Sequence, residues 1–231
     1  MNESLRTVYP GGTSSIALEQ RNRVLRNTYW LLALSLVPTV LGAWLGVSTG
    51  IMLRMGPGMT AIIFLAGAFG LIFAIEKTKN SAAGVPVLLG FTFFMGLMLS
   101  GLLSHILGFR NGASLIMMAF GGTAGVFFAI ASLATVIKRD LSGMGKFLFV
   151  GVVMLIVAGL INMFVQSSAM MLTLSVIAIG LFSAFMLYDI KRVIDGGETN
   201  YITATLAIYL DLYNIFQSLL AILGFAGGQR D

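Results

Sequence analysis

Seven long apolar stretches divide this chain, and each is close to the length that a helix needs to cross a lipid bilayer. About 20 mostly apolar residues span the hydrocarbon core, where only helices and closed barrels satisfy their backbone hydrogen bonds. Barrel strands would alternate apolar and polar residues, whereas these stretches are continuously apolar. The sequence therefore predicts an all-α integral membrane protein with seven transmembrane helices. The predicted spans are Thr28–Thr49, Met59–Ile75, Ala83–Leu107, Ala113–Ile137, Phe147–Val165, Met170–Ile190 and Ile202–Phe225.

The basic residues are distributed unevenly between the segments that connect these spans. Eleven of the 14 Lys and Arg residues fall in segments on the same side as the N-terminus, and three fall on the other side. Because basic residues favour the cytoplasmic face, we expect a cytoplasmic N-terminus and a periplasmic C-terminus. The net charge of +5 is explained by this topology, so no nucleic-acid partner is expected. The three outer residues are Arg54, Arg110 and Arg230.

The first 25 residues are polar and lack the apolar core of a signal peptide. We predict that residues 1–25 form a mobile cytoplasmic tail and that residues 26–228 form a single seven-helix domain in the bilayer. The chain has no cysteine and only one histidine, His105. This composition excludes thiol metal sites and histidine clusters and argues against a Ser-His-Asp triad. We therefore expect neither enzymatic activity nor a tightly bound cofactor.

Glycine is abundant, with 28 residues in the chain. Gly42 and Gly46, and likewise Gly121 and Gly125, are four residues apart. Small residues at this spacing let membrane helices approach closely, so both pairs predict helix–helix packing.

Two aspartates lie in the last two apolar stretches. Asp189 closes the sixth stretch and Asp211 lies well inside the seventh. A charged side chain at membrane depth costs roughly 2.5–3.5 kcal/mol on insertion scales, so it usually has a partner and a function. The polar turn Asp195–Asn200 returns the chain to the same face, which predicts a similar depth for both carboxyl groups. Such a pair can share a proton, hold a cation or attack a peptide bond.

The seventh stretch carries one small and polar stripe at helical spacing. Such a stripe would not face lipid comfortably, so we expect the last helix to be enclosed by the others. Asn214 and Ser218, in the same stripe as Asp211, are the candidate supporting polar residues of the site. The stripe consists of Ala204, Ala207, Asp211, Asn214, Ser218 and Ala221.

Several short segments occur in the order in which one membrane-protein family has them. Leu187-Tyr-Asp-Ile190 and Tyr209-Leu-Asp-Leu-Tyr-Asn214 resemble the paired-aspartate signature of the Bax inhibitor-1 family, also called the transmembrane BAX inhibitor motif proteins. Gly90–Gly96 is similar to a segment of the family's third helix, and Ala119–Thr123 to one of its fourth. Val24–Leu31 and Gly196–Ile202, with the close of the chain, are similar to a proteobacterial YccA-like subgroup. The resemblance covers nearly the whole chain.

The resemblance implies a protein of the bacterial inner membrane with its last helix at the centre of the bundle. It also implies a pH-sensitive calcium leak that Asp189 and Asp211 gate from the cytoplasmic side. Calcium prefers six to eight oxygens, so waters, backbone carbonyls or Asn214 would complete a shell around the two carboxylates. Two carboxylates this close cannot both ionise cheaply, so the pair would hold a proton and respond to pH. Lys77 is the candidate for the family's basic gating partner.

Three other interpretations remain open at this stage. The YccA-like subgroup is associated with the membrane protease FtsH, so the chain could be a non-conducting regulator, with residues 1–20 as a flexible handle; this role could coexist with conduction. An intramembrane aspartyl protease also has a Tyr-Asp pair, here Tyr188-Asp189, but its second aspartate follows Gly-x-Gly and Asp211 follows Tyr209-Leu210. Finally, the two acids could be purely structural, with Asp211 satisfied by a neighbouring hydroxyl.

Overall fold

The computed structural model of the protein describes residues 12–228, with side chains from residue 18 onward except at Pro57. This part of the chain forms eight helices and contains no strand. Seven of the helices are long and apolar enough to cross a membrane, which confirms the predicted all-α membrane fold. They are α1 (Gly12–Thr49), α3 (Pro57–Thr78), α4 (Gly84–Leu107), α5 (Gly112–Val136), α6 (Met144–Val165), α7 (Ser168–Ile194) and α8 (Tyr201–Gly227); α2 (Ile51–Arg54) is a single turn between α1 and α3.

The first helix begins at Gly12, well before the predicted span at Thr28. Its 38 residues make it about 57 Å long, whereas the hydrocarbon core is about 30 Å thick. The polar residues before Thr28 include good helix formers, and counting apolar residues could not detect this extension. Part of the predicted tail is therefore helical, and residues 1–11 lie outside the described residues. The division into a tail and a membrane domain stays a prediction.

Helices α1 and α4 pack backbone against backbone at glycines. A Cβ on Gly42 would overlap the carbonyl oxygen of Phe93, and a Cβ on Gly96 would overlap that of Thr39. Gly46 makes a similar approach to the side chain of α4 residue Ser100. The predicted packing role of the first glycine pair is therefore confirmed.

The second glycine pair behaves differently. A Cβ on Gly121 or Gly125 would meet no heavy atom within 4 Å among the described residues outside its own helix backbone. The prediction that this pair packs against another helix of the chain is wrong. Spacing identifies a smooth helix face, but it does not show whether a neighbouring helix covers that face.

The last helix packs against α1, α3, α4, α5 and α7. Two tyrosines on it reach neighbouring helices through their hydroxyl groups: Tyr209 Oη lies 2.9 Å from Thr39 Oγ1, and Tyr213 Oη donates to the carbonyl oxygen of Met95 at 3.2 Å. Helix α6, in contrast, packs mainly on α7 and exposes large apolar side chains such as Phe164. The central position of α8 within the bilayer stays a prediction.

Candidate functional site

A tight turn joins α7 to α8 and fixes the register of the two helices. Lys191 Nζ donates to Asp195 Oδ1 at 2.7 Å across the last turn of α7. Gly196 has a φ of 81°, in the left-handed region that glycine adopts at low cost. Asn200 then caps α8, because its Oδ1 accepts hydrogen bonds from the backbone N–H groups of Ile202 and Thr203 at 2.9 and 3.2 Å. The two helices therefore run antiparallel from a fixed start.

This register brings the two predicted acids together. The carboxyl group of Asp211 lies within hydrogen-bonding reach of that of Asp189. Asp211 is only 4% exposed, whereas Asp189 is half-buried. A carboxylate has no proton to donate, so a hydrogen bond between two carboxyl groups requires that one of them is protonated. The arrangement therefore suits a proton or a cation held between the two side chains.

One oxygen of Asp211 has no conventional partner. Asp211 Oδ2 is buried and accepts no hydrogen bond from the residues that the structure describes. A purely structural role for Asp211 would lead us to expect a hydrogen bond from a neighbouring hydroxyl group. No described hydroxyl group donates to Oδ2. An unsatisfied buried acceptor costs free energy, so this oxygen is available to a water, a proton or a cation.

The charged groups around the two acids are arranged asymmetrically. Arg192 and Glu198 act on the Asp189 carboxyl group, and they are paired with each other, with Nη2 and Oε2 3.5 Å apart. The other oxygen of Glu198 accepts hydrogen bonds from the N–H groups of Thr199 and Asn200 at 3.0 and 2.9 Å. Glu198 therefore stabilises the turn through one carboxylate oxygen and offsets the charge of Arg192 through the other.

A small cavity lies beside Asp189. Its volume is about 80 Å³, enough for two or three waters at about 30 Å³ each. Thr203, one of the lining residues, has a buried Oγ1 with no hydrogen-bond partner among the described residues. The site therefore combines unpaired polar oxygens with room for water. The cavity is lined by Asp189, Arg192, Glu198, Thr203, Ala204 and Ala207.

Within the described residues, the other predicted site residues make no hydrogen bond or ion pair with the two acids. Lys77 is exposed on α3, where its Nζ lies 5.3 Å from the centre of the Phe73 ring, so the structure does not place it beside the acids. Asn214 is half-buried and donates to the carbonyl oxygen of Leu210 on its own helix at 2.8 Å. Ser218 is buried further along the same helix.

Sequence reasoning missed Arg192, Glu198 and Thr203 as neighbours of the pair. Arg192 could have been found, since it follows Asp189 by three residues and side chains at that spacing meet on one helix face. Glu198 and Thr203 approach only because of the turn geometry, which no periodicity in the sequence encodes.

The two carboxyl groups do not form a complete metal site by themselves. No group of three or more acidic, histidine or cysteine side chains that could hold a metal occurs within the described residues. Two carboxylates offer at most four oxygens, and calcium requires six to eight. The pair alone would therefore leave at least two positions of a calcium shell to other oxygens.

Comparison with known proteins agrees with this architecture. The sequence profile of a family described as "Inhibitor of apoptosis-promoting Bax1" matches residues 21–228. The chain is 39% identical, over 91% of its length and 93% of the relative's, to the Escherichia coli K12 protein "Modulator of FtsH protease YccA". It is equally similar to the "Inner membrane protein YccA" of Escherichia coli O6:H1. It is also 40% identical to a Pseudomonas aeruginosa protein, over 93% of this chain and 96% of that one.

These matches extend over almost the whole membrane domain, including both aspartate-bearing helices, and the relatives are covered nearly end to end. The chain is a multi-pass membrane protein that belongs to the Bax inhibitor-1 family.

Proposed function

We propose that this chain modulates the membrane protease FtsH. The observation that carries the proposal is its 39% identity, over nearly the full length of both chains, to an Escherichia coli protein named for that activity. An inner-membrane location, supported by the name of a second relative, would place the chain in the same bilayer as such a protease. The extension of α1 beyond the apolar run that begins at Thr28 offers a surface outside the hydrocarbon core for this contact.

The test is the rate at which FtsH degrades a membrane substrate in proteoliposomes that contain increasing amounts of this chain. We expect the degradation rate to fall as the ratio of chain to FtsH rises. An unrelated seven-helix protein at the same density controls for crowding of the bilayer. An unchanged rate, with both proteins present in the same vesicles, contradicts the proposal.

A second function, compatible with the first, is a pH-sensitive calcium leak. The observation that favours it is the contact between the carboxyl groups of Asp189 and Asp211, with a water-sized cavity at its side. Loss of a shared proton would leave two negative charges facing each other, and repulsion would loosen the packing of α7 on α8. A cation could then replace the proton between the two carboxylates.

In this mechanism the residues around the pair have separate tasks. Asp211 provides the deep oxygen, and Asp189 connects it to the cavity. Arg192 and Glu198, paired at 3.5 Å, hold the turn and limit the net charge near the entrance. Waters in the cavity, with the Thr203 hydroxyl group, would supply oxygens that the carboxylates lack.

The leak is tested by calcium flux into proteoliposomes over a range of pH. We expect a flux above that of protein-free vesicles, and we expect it to change with pH. A flux equal to that of empty vesicles at every pH excludes the leak and leaves the FtsH proposal untouched, because the two assays share no readout.

A further inference from the structure

A second and larger cavity lies at the end of the bundle that carries the α7–α8 turn. Its volume is about 380 Å³, room for about a dozen waters at 30 Å³ each. Residues 20–24 of α1 form one wall and the α7–α8 turn forms the other. The polar residues that face it are Gln20, Arg21 and Arg23 from α1, and Glu198 and Thr199 from the turn.

The charges in this cavity are unbalanced. The Glu198 carboxylate is already committed, since it pairs with Arg192 and accepts two backbone hydrogen bonds. Within residues 18–228, neither Arg21 nor Arg23 makes an ion pair or a side-chain hydrogen bond. The cavity therefore presents two uncommitted guanidinium groups, and the planar guanidinium fork matches the oxygens of a phosphate group.

The turn also sets the position of Arg21. Gly196 has a left-handed φ of 81°, and a Cβ there would lie 2.5 Å from Arg21 Nε. The guanidinium group thus rests directly on the backbone of the turn at Gly196, and a side chain there would displace it. Hydrogen bonds from Gly197 N and Glu198 N to the carbonyl oxygen of Arg192, at 2.8 and 3.2 Å, brace that backbone.

The position of the two arginines relative to the bilayer indicates which kind of phosphate group could reach them. Arg23 and Arg21 precede Thr28, the start of the apolar run, by five and seven residues, or about 8 and 10 Å along a helix. Each headgroup layer of a bilayer is about 5–8 Å thick. Arg23 therefore starts at the outer edge of the headgroup layer and Arg21 just beyond it. Their long side chains can reach lipid phosphates from there, and basic pockets near this level bind anionic headgroups.

We propose that this cavity binds the phosphate group of an anionic lipid between Arg21 and Arg23. The hydroxyl group of Thr199 and the amide of Gln20 are the further donors. A lipid phosphodiester carries a single negative charge, whereas free inorganic phosphate near neutral pH is partly doubly charged. Either anion matches the two guanidinium groups, and the position of the arginines beside the headgroup layer favours the lipid.

The test is the thermal unfolding of the full chain in phosphatidylcholine vesicles with and without phosphatidylglycerol. A ligand that binds the folded state raises its unfolding temperature, so phosphatidylglycerol should raise that of the wild type. The rise should be lost in the double variant Arg21→Gln/Arg23→Gln. The matched control is Lys138→Gln/Arg139→Gln, which removes the same charge from exposed residues at the same end of the bundle and should keep the rise.

Two results would overturn the proposal. An equal loss of the rise in both double variants would show general attraction to a negative surface, without a built site. A rise produced by inorganic phosphate in pure phosphatidylcholine vesicles, and not by phosphatidylglycerol, would assign the cavity to a soluble anion. Thr199→Val keeps both arginines and should reduce the lipid-dependent rise in part, so the proposal stays testable if the arginine variant folds poorly.

Discussion

The carboxyl group of Asp211, buried on α8, faces the carboxyl group of Asp189 on α7 within hydrogen-bonding reach. The two acids have different surroundings. Asp189 lines a cavity and has Arg192 and Glu198 nearby. For Asp211, the charged neighbour is Asp189 itself. A proton or cation that reaches the deeper acid along this side would therefore pass the shallower one first.

The close approach of α1 to α4 predicts opposite effects for two glycine substitutions. Gly96→Ala should destabilise the fold by about 1–3 kcal/mol, because its new Cβ would overlap the backbone of α1. Gly121→Ala should be neutral or slightly stabilising, since no described atom outside its own helix backbone lies within 4 Å of the added carbon. Unfolding temperatures in detergent measure both. A Gly96→Ala variant as stable as Gly121→Ala would contradict the observed packing.

The loop between α5 and α6 predicts a pH-dependent effect at Asp140. Hydrogen bonds from the backbone N–H and the hydroxyl group of Ser142, at 2.8 and 2.9 Å, lower the pKa of the Asp140 carboxyl group, and the charge of Lys191 adds to this. A lowered pKa in the folded state means that the contribution to stability is present above the unfolded pKa. It is lost as the pH falls through the folded value.

Asp140→Asn should therefore lower the unfolding temperature at neutral pH, by a small amount because the residue is exposed. The difference from the wild type should shrink as the pH falls below the ordinary range of an aspartate. Glu19→Gln, another exposed acid, provides the control for general charge effects. A difference that stays constant over this pH range would refute the role of the ionised carboxylate.

The uneven distribution of basic residues predicts the orientation of the protein. Seven spans and a cytoplasmic N-terminus place the C-terminus in the periplasm. A reporter fused after Asp231 should therefore be active only if it functions outside the cytoplasm. Alkaline phosphatase should be active in this fusion and green fluorescent protein should not fluoresce. The opposite pattern would contradict the predicted topology without contradicting the helical fold.

Much of the fold follows from hydropathy alone, because lipid imposes a length and an apolar composition on each span. The two acids stood out for the same reason, since charge is costly in that setting. The helical extension before Thr28 did not, because helices outside the hydrocarbon core leave no apolar mark.

Partners across helices were harder to predict. Lys77 was chosen for its position near the end of a span. It lies over Phe73 on an exposed face, and its gating role stays a prediction. Glu198 reaches Arg192 only through the geometry of a turn that contains a left-handed glycine. Packing between helices and the shape of turns arise from the whole structure, so single-sequence periodicity does not specify them.

The central claim is that Asp189 and Asp211 act as one functional unit. The most direct test is the pH dependence of calcium flux in proteoliposomes for the wild type, Asp189→Asn, Asp211→Asn and the double variant. Each single change removes the repulsion between the carboxylates, so each should abolish most of the pH dependence. The double variant should add little, because groups in direct contact are not additive. Single variants that keep the pH dependence of the wild type, or effects that add fully in the double variant, would show that the two acids act independently.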